Sequence, residues 1–503
     1  MINDRLLNKF LLFIKNEYNE LYVLYNKLHN LIIVRKRMRI MPINSFENFP
    51  MSWKPSIDKT ERPIYQALAG QLEQDILNGV LLPGTKLPPQ RELADYLDLN
   101  LSTISKAFKV CELKGLLSAT VGSGTFISYD ALSNAYLLED TKPKHLIEMG
   151  ATLPDNDSYK PLLLQLKSML QERDYEKWFG YGRSGEKLWQ KDAAVKLIRK
   201  GGFETSVDHI LFANGGQNAI AATLASLCQP GTRIGVDHHT YPGLKTVAAM
   251  LSVQLIPIKS EHYEMSPTAF EYACKNDNIK GIYLIPDYHN PTTSFMSIEN
   301  RKAIATIAKK YNQFIIEDAS YHLLNKEPLP AVASFAPNQV IYIASLSKTI
   351  APGLRLAYVA VPSQFKEPIS KALYNLNISV SPLLAELTAR TIVSNQFELL
   401  IESHREQAIR RNQIVNQYLT DFRCLGVDTG IFRWLQLPGT ATGAAFERLA
   451  AQHGVQVYAA ERFVVGNSSP ERAVRVSVCA PETIDELEQG LRILQGLLKT
   501  VKA

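Results

Sequence analysis

The sequence predicts an α/β protein preceded by a small helical unit, and three observations support that fold class. From Ile147 onward, short β-branched runs alternate with longer amphipathic stretches, which favours a mostly parallel sheet covered by helices. Residues 60–128 instead carry three helix-length patterns followed by two short strand patterns. The chain has 503 residues, which is more than one hydrophobic core usually supports. We therefore expect two to four domains.

Composition narrows the class of protein. Apolar residues make up 46% and charged residues 21% of the chain, as in ordinary soluble globular proteins. The net charge is +6, but residues 1–50 hold eight basic and four acidic side chains, which is +4 of that total. Overall charge therefore does not by itself predict DNA binding. The five cysteines are scattered, and no signal peptide or spanning apolar run is visible, so we expect a cytoplasmic protein without a membrane segment.

Residues 1–57 are assigned to an N-terminal extension. Residues 5–40 mix Leu, Ile, Phe and Tyr with Lys, Asn and Glu, and they end in a basic run. A basic amphipathic helix of this kind can contact a membrane or DNA. It can equally be an oligomerisation helix, or an upstream stretch that is not translated, since Met51 is a natural start. The sequence leaves these alternatives open.

The stretch after this extension is predicted to form a compact DNA-binding unit. Apolar residues recur at every fourth position from Ile64 to Ile76, which predicts a first helix. A second helix covers Gln90 to Leu97, and a third follows Asn100, which can cap it, and closes at Gly115. Two strands around Gly122-Ser-Gly124 make a hairpin. This order is typical of a winged helix-turn-helix, in which the second helix of the pair enters the major groove.

This unit resembles the GntR family of bacterial regulators along its whole length. The shared motifs are Ile76-x-x-Gly79, Pro83-Gly-Thr-x-Leu-Pro88, Arg91-x-Leu-Ala94, Thr103-x-x-x-Ala107, Gly115 and Gly122-x-Gly-Thr-Phe126. The resemblance implies binding to double-stranded operator DNA. The implied DNA contacts are Arg91, Ser102, Thr103, Ser105, Lys106, Gly122 and Ser123. Leu101 stands where the family usually has arginine, which removes one expected contact.

Three predicted strands of the large unit end in side chains that carry chemistry. Asn290 follows the first strand, Asp318 and Tyr321 come at the end of the second, and Lys348 lies on the loop after the third. These strands cover residues 281–286, 313–318 and 340–344. Ligands bind outside the carboxyl ends of parallel strands, so the four side chains can converge. Their chemistry suits a pyridoxal ring, with aspartate for the pyridine nitrogen, Asn and Tyr for the phenolic oxygen, and lysine for the aldehyde.

The loop around Lys348 also has groups that can hold a phosphate. Ser345 and Ser347 precede the lysine, and Arg355 follows it beyond a turn at Pro352-Gly353. A lysine that forms a Schiff base needs a partly desolvated, electropositive place, and hydroxyl groups with a guanidinium suit a phosphorylated cofactor. Taken alone, this pattern also fits an ordinary loop.

Two weaker patterns add to the same site. Gly216 and Gln217 open a predicted helix, where free backbone amides can hold a phosphate. Tyr241 supplies an aromatic ring that can stack on a pyridine ring. With all these patterns in this order, residues 147–500 resemble the fold-type I, aspartate aminotransferase-like enzymes that use pyridoxal 5′-phosphate.

This second resemblance implies a role for each residue, with Lys348, Asp318 and Tyr321 as the catalytic set. The implied ring contacts are Lys348 as the Schiff-base lysine, Asp318 at the pyridine nitrogen, and Asn290 and Tyr321 at the phenolic oxygen. The implied phosphate and stacking contacts are Ser345, Ser347, Arg355, the amides of Gly216 and Gln217, and Tyr241. Arg475 matches the family arginine that binds the substrate α-carboxylate. Thr293 replaces a family glycine and Trp189 replaces an arginine, which leaves the substrate pocket undefined.

The two resemblances together match the MocR subfamily of regulators, whose large domain binds pyridoxal phosphate and often an amine-bearing effector in a head-to-tail homodimer. The implied parts are an extension (1–57), a winged helix-turn-helix (58–128), a linker (129–146) and an aminotransferase-like domain with a smaller C-terminal α+β subdomain (147–503). We expect a regulator whose DNA affinity responds to the cofactor or to an amino acid or amine. An active aminotransferase with a tethered DNA-binding module is the alternative, because no catalytic residue is missing. A domain kept only for dimerisation is disfavoured by Lys348, Asp318 and Arg475.

Overall fold

The computed structural model describes residues 51–57, 63–120, 122–133, 146–154, 159–173, 175–181 and 187–502. The predictions for residues 1–50 and for most of the linker, residues 134–145, lie outside these ranges. The described residues form a small N-terminal unit, a large α/β unit and a C-terminal antiparallel subdomain. Within these ranges, no helix has the length and apolar character needed to span a membrane.

Three helices and a hairpin build the N-terminal unit. They are α1 (Ile64–Leu77), α2 (Gln90–Leu97), α3 (Leu101–Leu113), β1 (Leu117–Thr120) and β2 (Gly124–Ile127). Ile104 and Phe108 of α3 are at most 1% exposed, because apolar residues at helical spacing share one face. Gly79 and Gly115 follow α1 and α3 with φ of 72°, the left-handed conformation that often ends a helix. Asn100 is the N-cap residue of α3, but its side chain makes no capping hydrogen bond within the described helix.

Residues 51–57, which the sequence places in the extension, pack on this unit. Trp53 is 3% exposed, and its indole N–H donates to Asp75 Oδ2 at 2.7 Å. Met51 and Ile57 pack against the same hydrophobic core. A buried indole whose N–H is satisfied by a carboxylate is part of a folded core. This end of the extension therefore belongs structurally to the winged helix.

A seven-stranded sheet forms the centre of the large unit. The strands from residue 147 onward are β3 (Ile147–Glu148), β4 (Ile210–Ala213), β5 (Arg233–Asp237), β6 (Gln254–Ile258), β7 (Ser260–Glu261), β8 (Glu264–Met265), β9 (Ile279–Leu284), β10 (Phe314–Asp318), β11 (Val340–Ser345) and β12 (Ala357–Ala360). The strand order in the sheet is β4-β12-β11-β10-β9-β5-β6. Within this described sheet, β12 runs antiparallel to both of its neighbours, β4 and β11, and the other pairs are parallel. The mostly parallel α/β class predicted from the sequence is confirmed.

Helices pack on both faces of this sheet. They are α4 (Lys160–Leu170), α5 (Leu188–Lys200), α6 (Gly216–Leu227), α7 (Pro242–Met250), α8 (Pro267–Asn276), α9 (Ile298–Lys310), α10 (Val332–Phe335), α11 (Ser363–Asn377), α12 (Pro382–Val393) and α13 (Gln396–Leu419). Ile341 and Ile343 of β11 belong to one hydrophobic core, whereas Tyr342 and Ala344 belong to another. Successive side chains of a strand point to opposite faces, so the sheet separates the two cores.

The C-terminal subdomain is a second, antiparallel sheet. Its elements are β13 (Cys424–Leu425), β14 (Phe432–Gln436), α14 (Gly443–Gln452), β15 (Val455–Gln456), β16 (Tyr458–Ala459), β17 (Ala473–Ser477) and α15 (Ile484–Lys502). The sheet has the order β13-β14-β17-β16, and β15 pairs in parallel with β3 instead. The chain segment that leaves the linker is therefore held by the C-terminal subdomain.

Arg301 on α9 is a fully buried arginine that fixes the loop after β9. Its guanidinium donates to the carbonyls of Pro286 and Met296 at 3.2 and 2.9 Å. It also pairs with Asp287 Oδ1 at 2.7 Å. Asn290 lies within this loop, so the buried ion pair holds the backbone that carries a predicted site residue.

Arg301→Met should lower the free energy of unfolding by about 3–5 kcal/mol, because it leaves the Asp287 carboxylate buried without its cation. Urea denaturation followed by circular dichroism measures the loss. Lys309→Met, an exposed change on the same helix, is the control and should alter stability by less than about 0.5 kcal/mol. Equal stability of the two variants would contradict this role for Arg301.

Candidate functional site

The carboxyl ends of β9, β10 and β11 bring four of the predicted residues to one edge of the sheet. Asp318 is the last residue of β10, Tyr321 follows it, Asn290 follows β9, and Lys348 follows β11. The three strands are adjacent and parallel, so their carboxyl ends meet. The charges of Asp318 and Lys348 each shift the pKa of the other group, as expected for neighbours in one site.

Lys348 occupies the electropositive, desolvated place that a nucleophilic lysine requires. Its ammonium donates a hydrogen bond to the carbonyl of Thr152. Burial of the amine, reinforced by the guanidinium groups of Arg475 and Arg355, lowers the pKa of Lys348 to about 8, while Asp318 acts against this shift. With such a pKa about one amine in four is neutral at pH 7.5, against about one in a thousand for an ordinary lysine.

Asp318 is buried and has hydrogen bonds to both carboxylate oxygens. The hydroxyl of Tyr283 donates to Oδ2 at 2.6 Å, and the amide of Ser320 donates to Oδ1 at 3.1 Å. The Ser320 hydroxyl donates to the same Oδ1. Burial raises the pKa of Asp318, and these hydrogen bonds together with the charge of Lys348 oppose the rise. The hydrogen bonds therefore favour the ionised carboxylate that a protonated ring nitrogen needs.

Arg475 on β17 reaches the same site from the C-terminal subdomain. Its Nη1 donates to Asn290 Oδ1 at 2.6 Å, and its Nη2 donates to the carbonyl of Gly150 at 2.7 Å. The first bond orients the amide of Asn290, so that its NH2 group points away from the arginine. The second bond attaches the segment after β3 to the site.

The guanidinium of Arg475 is surrounded by aromatic rings. It lies 5.5, 5.4 and 4.8 Å from the ring centroids of Phe432, Tyr458 and Phe463. Burial lowers the pKa of Arg475 to about 10, and Tyr321 and Tyr458 oppose this shift. Among the described residues, no carboxylate forms an ion pair with this guanidinium. A carboxylate ligand would supply the missing negative charge.

The N-terminus of α6 forms a cradle with the loop that carries Lys348. Arg355 Nη1 donates to Ser347 Oγ at 3.2 Å. A Cβ added to Gly215 would lie 2.6 Å from Arg355 Nη2, and one added to Gly216 would lie 3.3 Å from Ser345 Oγ. Glycine is therefore needed where these groups approach the helix. The first amides of a helix have no acceptor within it, so amides, hydroxyl groups and guanidinium together suit a phosphate.

Gln217 and Tyr241 lie beside this cradle. Gln217 Nε2 donates to the carbonyl of Gly243 at 2.8 Å, while its buried Oε1 has no hydrogen-bond partner in the described part of the chain. Burial raises the pKa of Tyr241 to about 12, the charge of Asp318 adds to this shift, and Arg355 opposes it. Tyr241 is thus close enough to the Asp318 carboxylate and the Arg355 guanidinium for both charges to act on it. This position, with the cradle and the lysine, fits pyridoxal 5′-phosphate.

Four groups of the site were not predicted from the sequence. Two of them, Gly150 and Thr152, act through backbone carbonyls, which no side-chain pattern marks. Tyr283 lies on the strand next to Asp318, and its hydroxyl reaches across. Ser320 comes two residues after Asp318. Strand adjacency and proximity in sequence are the signals that point to these last two residues.

Thr293 and Trp189, the two residues that depart from the family pattern, have different effects on the structure. Thr293 has φ of 64°, a left-handed conformation that glycine adopts freely and β-branched residues rarely adopt. Its hydroxyl donates to the Thr292 carbonyl at 2.6 Å, and its amide donates to the His289 carbonyl at 2.7 Å. Trp189 is half-buried and packs against a hydrophobic core. The first departure strains the loop around Asn290, and the second fills space.

The implied DNA contacts lie on the outer surface of the winged helix. Arg91, Ser102, Ser105, Lys106, Gly122 and Ser123 are exposed, and Thr103 is half-buried. Residues three or four apart share one helix face, so the exposed serines and lysine of α3 form a single stripe. The hydroxyl of Ser105 donates to Gln90 Oε1 at 2.7 Å, which joins this stripe to the start of α2.

Comparison with known families identifies the class of protein. The model for bacterial regulatory proteins of the gntR family matches residues 64–127, and the model for aminotransferase class I and II matches residues 144–494. The chain belongs to the MocR-type transcriptional regulators, which join a GntR helix-turn-helix to an aminotransferase class I and II domain. It is a transcriptional regulator of this type, as the sequence predicts.

Individual relatives agree with this assignment. The chain is 83% identical over 458 residues to the Bacillus subtilis (strain 168) protein named uncharacterized HTH-type transcriptional regulator YdeF, covering 91% of this chain and 99% of that protein. It is 25% identical over 441 residues to the Escherichia coli (strain K12) regulator YjiR, covering 79% and 91%. An archaeal alanine:glyoxylate aminotransferase structure matches with 20% identity and a TM-score of 0.65, covering 73% of this chain and 93% of that one.

A second solved structure supports the same fold. It is LysN, the α-aminoadipate aminotransferase from Thermus thermophilus, with 19% identity and a TM-score of 0.65 over 73% of this chain and 95% of that one. That enzyme was solved with N-(5′-phosphopyridoxyl)-L-leucine. At this level of identity the match establishes the fold-type I architecture of the large domain.

The reactivity of Lys348 should follow a pKa near 8. Without added ligand, labelling of Lys348 by acetic anhydride should rise with pH, reach half its maximum near pH 8 and level off above roughly pH 9, because the neutral amine reacts. Mass spectrometry measures the labelling, with exposed Lys371 as the internal reference. Asp318→Asn should move the midpoint to lower pH, since the carboxylate favours the ammonium. A midpoint near 10 would show that the amine is hydrated.

Proposed function

We propose that this regulator binds pyridoxal 5′-phosphate at Lys348 and changes its affinity for operator DNA when the cofactor or an amino compound occupies the site. The observation that carries this proposal is the convergence of Lys348, Asp318, Asn290 and Arg475 at one sheet edge, next to a phosphate-shaped cradle. A domain retained only for dimer contacts would have no need for these charged groups in a buried place, where they are costly.

The residues around the cofactor would bind three parts of it, namely the aldehyde, the ring and the phosphate. Pyridoxal 5′-phosphate supplies an aldehyde that reacts with amines. Lys348 offers the amine, Asp318 stabilises a protonated ring nitrogen, and Asn290 with Tyr321 donates to the phenolic oxygen. The phosphate ligands would be Ser345, Ser347, Arg355 and the amides of Gly216 and Gln217, with Tyr241 stacked on the ring. Each group keeps the role that the family resemblance implies.

The effector that fits best carries an amine and a carboxylate. Arg475 has a buried guanidinium with no carboxylate partner among the described residues, and its Nη2 is held by the carbonyl of Gly150. A carboxylate binds a guanidinium more strongly than a neutral carbonyl does. An amino acid would therefore exchange the Gly150 carbonyl for its own carboxylate and bring its amine towards Lys348.

The DNA-binding part would read a duplex through α3. Ser102, Ser105 and Lys106 would face the major groove, Arg91 would contact the duplex from α2, and the wing at Gly122-Ser123 would lie along the backbone. Operator DNA is found in the cytoplasm of a bacterium, where we place this function.

Exposed apolar side chains support a homodimer. Phe179, Tyr181 and Leu188 are 70, 89 and 67% exposed and lie close together in sequence. A large contiguous apolar patch left in water marks an interaction surface, and we propose that these side chains contribute to one. A second copy of the chain, in the head-to-tail arrangement that the MocR resemblance implies, would cover them and place two winged helices on paired half-sites.

Aminotransferase activity is the second candidate. It is favoured by the pKa of Lys348, about 8, which lets the amine act as a base near neutral pH. A transamination assay with amino acids and 2-oxo acids, read by the cofactor spectrum, tests this candidate. Turnover that persists at normal rate in Arg91→Ala would show that catalysis is independent of DNA binding.

Arg91→Ala should weaken binding to promoter DNA by about 1–3 kcal/mol without changing the cofactor spectrum, because one contact to a phosphate or base is lost. Fluorescence anisotropy with a fragment from upstream of the neighbouring operon measures the affinity at two salt concentrations. Lys371→Ala removes a positive charge far from the winged helix and is the control. An unchanged affinity would mean that Arg91 faces away from the duplex.

Removing the site's charged groups should silence the response to ligand. Arg475→Ala should abolish the response of DNA affinity to an amino acid, normally about 5- to 150-fold for allosteric proteins, while DNA binding without ligand persists. Arg472→Ala, which changes an exposed arginine just before β17, is the control.

Lys348→Ala distinguishes the two possible signals. It should abolish the visible absorbance that bound pyridoxal phosphate gives the wild-type chain. If the cofactor itself is the signal, this variant loses the response and Arg475→Ala keeps it. A colourless wild type that takes up no added pyridoxal phosphate would contradict the proposed function.

A further inference from the structure

The end of the wing contacts the large domain through residues that neither candidate site uses. Residues 128–130 follow β2 directly and open the predicted linker. The amide of Tyr129 donates to the Gly466 carbonyl at 2.8 Å, and the Gly466 amide donates back to Asp130 Oδ2 at 2.9 Å. Gly466 has φ of 62°, and a Cβ there would lie 3.2 Å from Ser118 Oγ of β1. The contact therefore depends on glycine at this position.

Lys245 places a buried ammonium beneath this contact. Its side chain is 0% exposed, and its Nζ lies 3.2 Å from Asp130 Oδ1. The same Nζ donates to the carbonyls of Val464, Arg462 and Tyr129 at 2.6, 3.2 and 3.4 Å. Burial lowers the pKa of Lys245, and Asp130 opposes the shift. Within the described residues, Asp130 is the carboxylate that pairs with this cation, and it comes from the DNA-binding side.

We call residues 128–130, Lys245 and residues 462–466 the interdomain clamp. The two parts of the clamp that belong to the large domain, Lys245 and residues 462–466, also lie next to the ligand site. Lys245 lies on α7, four residues after Tyr241 at the N-cap. The ring of Phe463 lies 4.8 Å from the guanidinium of Arg475, and its carbonyl accepts from the Thr240 amide at 2.9 Å. The clamp is thus built on the elements that hold the stacking tyrosine and the carboxylate-binding arginine.

We infer that the Asp130–Lys245 ion pair in the interdomain clamp transmits the state of the ligand site to the DNA-binding unit. This inference rests on the proposed function and names the element that connects its two halves. A ligand that displaces Tyr241 or Arg475 shifts α7 and residues 462–466 against residues 128–130. Partial separation of a buried ion pair is costly, because both charges lose compensation before water can reach them. The closed, paired arrangement and the open, hydrated one are therefore favoured over intermediate ones.

Such a two-state contact can couple the sites. Ligand binding changes DNA affinity only if the ligand prefers one state of the chain over the other. With the clamp closed, the wing is fixed to the large domain and the orientation of α3 is set. With the clamp open, its hydrogen bonds and ion pair no longer fix the wing, and the spacing of two winged helices on their half-sites is no longer imposed.

Three variants of the full-length chain test the clamp. Asp130→Asn removes the charge and keeps the size of the side chain. Asp130→Asn combined with Lys245→Met removes both charges of the ion pair, and it serves if the single variant folds poorly. Glu367→Gln removes a carboxylate from an exposed ion pair with Lys371, 2.7 Å long, and is the matched control.

Hydrogen–deuterium exchange tests whether the contact exists. Peptides with the Tyr129 and Gly466 amides should exchange at least about tenfold faster in Asp130→Asn than in the wild type or in Glu367→Gln, because their hydrogen bonds open more often. Equal exchange in all three proteins would overturn the inference, since the ion pair would then hold nothing in place.

DNA binding with and without added pyridoxal 5′-phosphate tests the transmission. The wild type and Glu367→Gln should change affinity for the promoter fragment by about fivefold or more, whereas Asp130→Asn and the double variant should change by less than about twofold. All four should show the same cofactor absorbance, because the side chains of Asp130 and Lys245 form no hydrogen bond or ion pair with a residue assigned to the cofactor.

The outcomes separate the two ideas. A wild-type response that survives unchanged in both clamp variants overturns the inference alone. A wild type without cofactor absorbance overturns the proposed function, and the transmission that rests on it as well. Loss of the response in the clamp variants, with cofactor absorbance kept, supports the inference.

Discussion

Positive charge buried at the edge of the sheet is the constraint around which the large domain is arranged. Lys348 and Arg475 share one site with the more exposed Arg355; both arginines lower the pKa of the lysine, and Asp318 opposes them. Carbonyl oxygens and aromatic faces make this arrangement tolerable, since they stabilise cations without adding another charge. A ligand with two negative groups would relieve the remaining repulsion. The proposed cofactor phosphate and effector carboxylate are two such groups.

Much of this arrangement could be predicted from the sequence because it depends on local patterns. β-Branched runs mark buried strands, and polar residues such as Asp318 just after them mark the carboxyl edge. The helices of the winged unit could also be predicted, because the spacing of apolar residues and the glycines at helix ends are patterns within a short stretch of sequence. The contributions of Gly150 and Thr152 could not be predicted, since a backbone carbonyl carries no residue-type signal. The role of Trp53 was missed because its partner Asp75 lies on a helix 22 residues away.

Contacts between the domains were also not predicted, because they join residues that are far apart in the sequence. Residues 129–146 lack periodicity and were predicted to be a linker, which suggests freedom of movement. The first of these residues instead make specific hydrogen bonds to a loop more than 330 residues later in the chain. Pairing between residues so far apart depends on the finished tertiary structure, so composition gives no indication of it. The first residues of the linker thus continue the wing and also bond to the large domain.

Leu101 has a consequence for how the protein searches DNA. It is the first residue of α3, is 41% exposed, and stands where the GntR resemblance implies an arginine. Leucine releases no counterions from the duplex, so we expect the affinity for random genomic DNA to depend less steeply on salt. It can, however, pack against the methyl group of thymine in the major groove. Discrimination at that base pair would then depend on an apolar contact. The protein would also spend less time on non-target DNA than it would with arginine at this position.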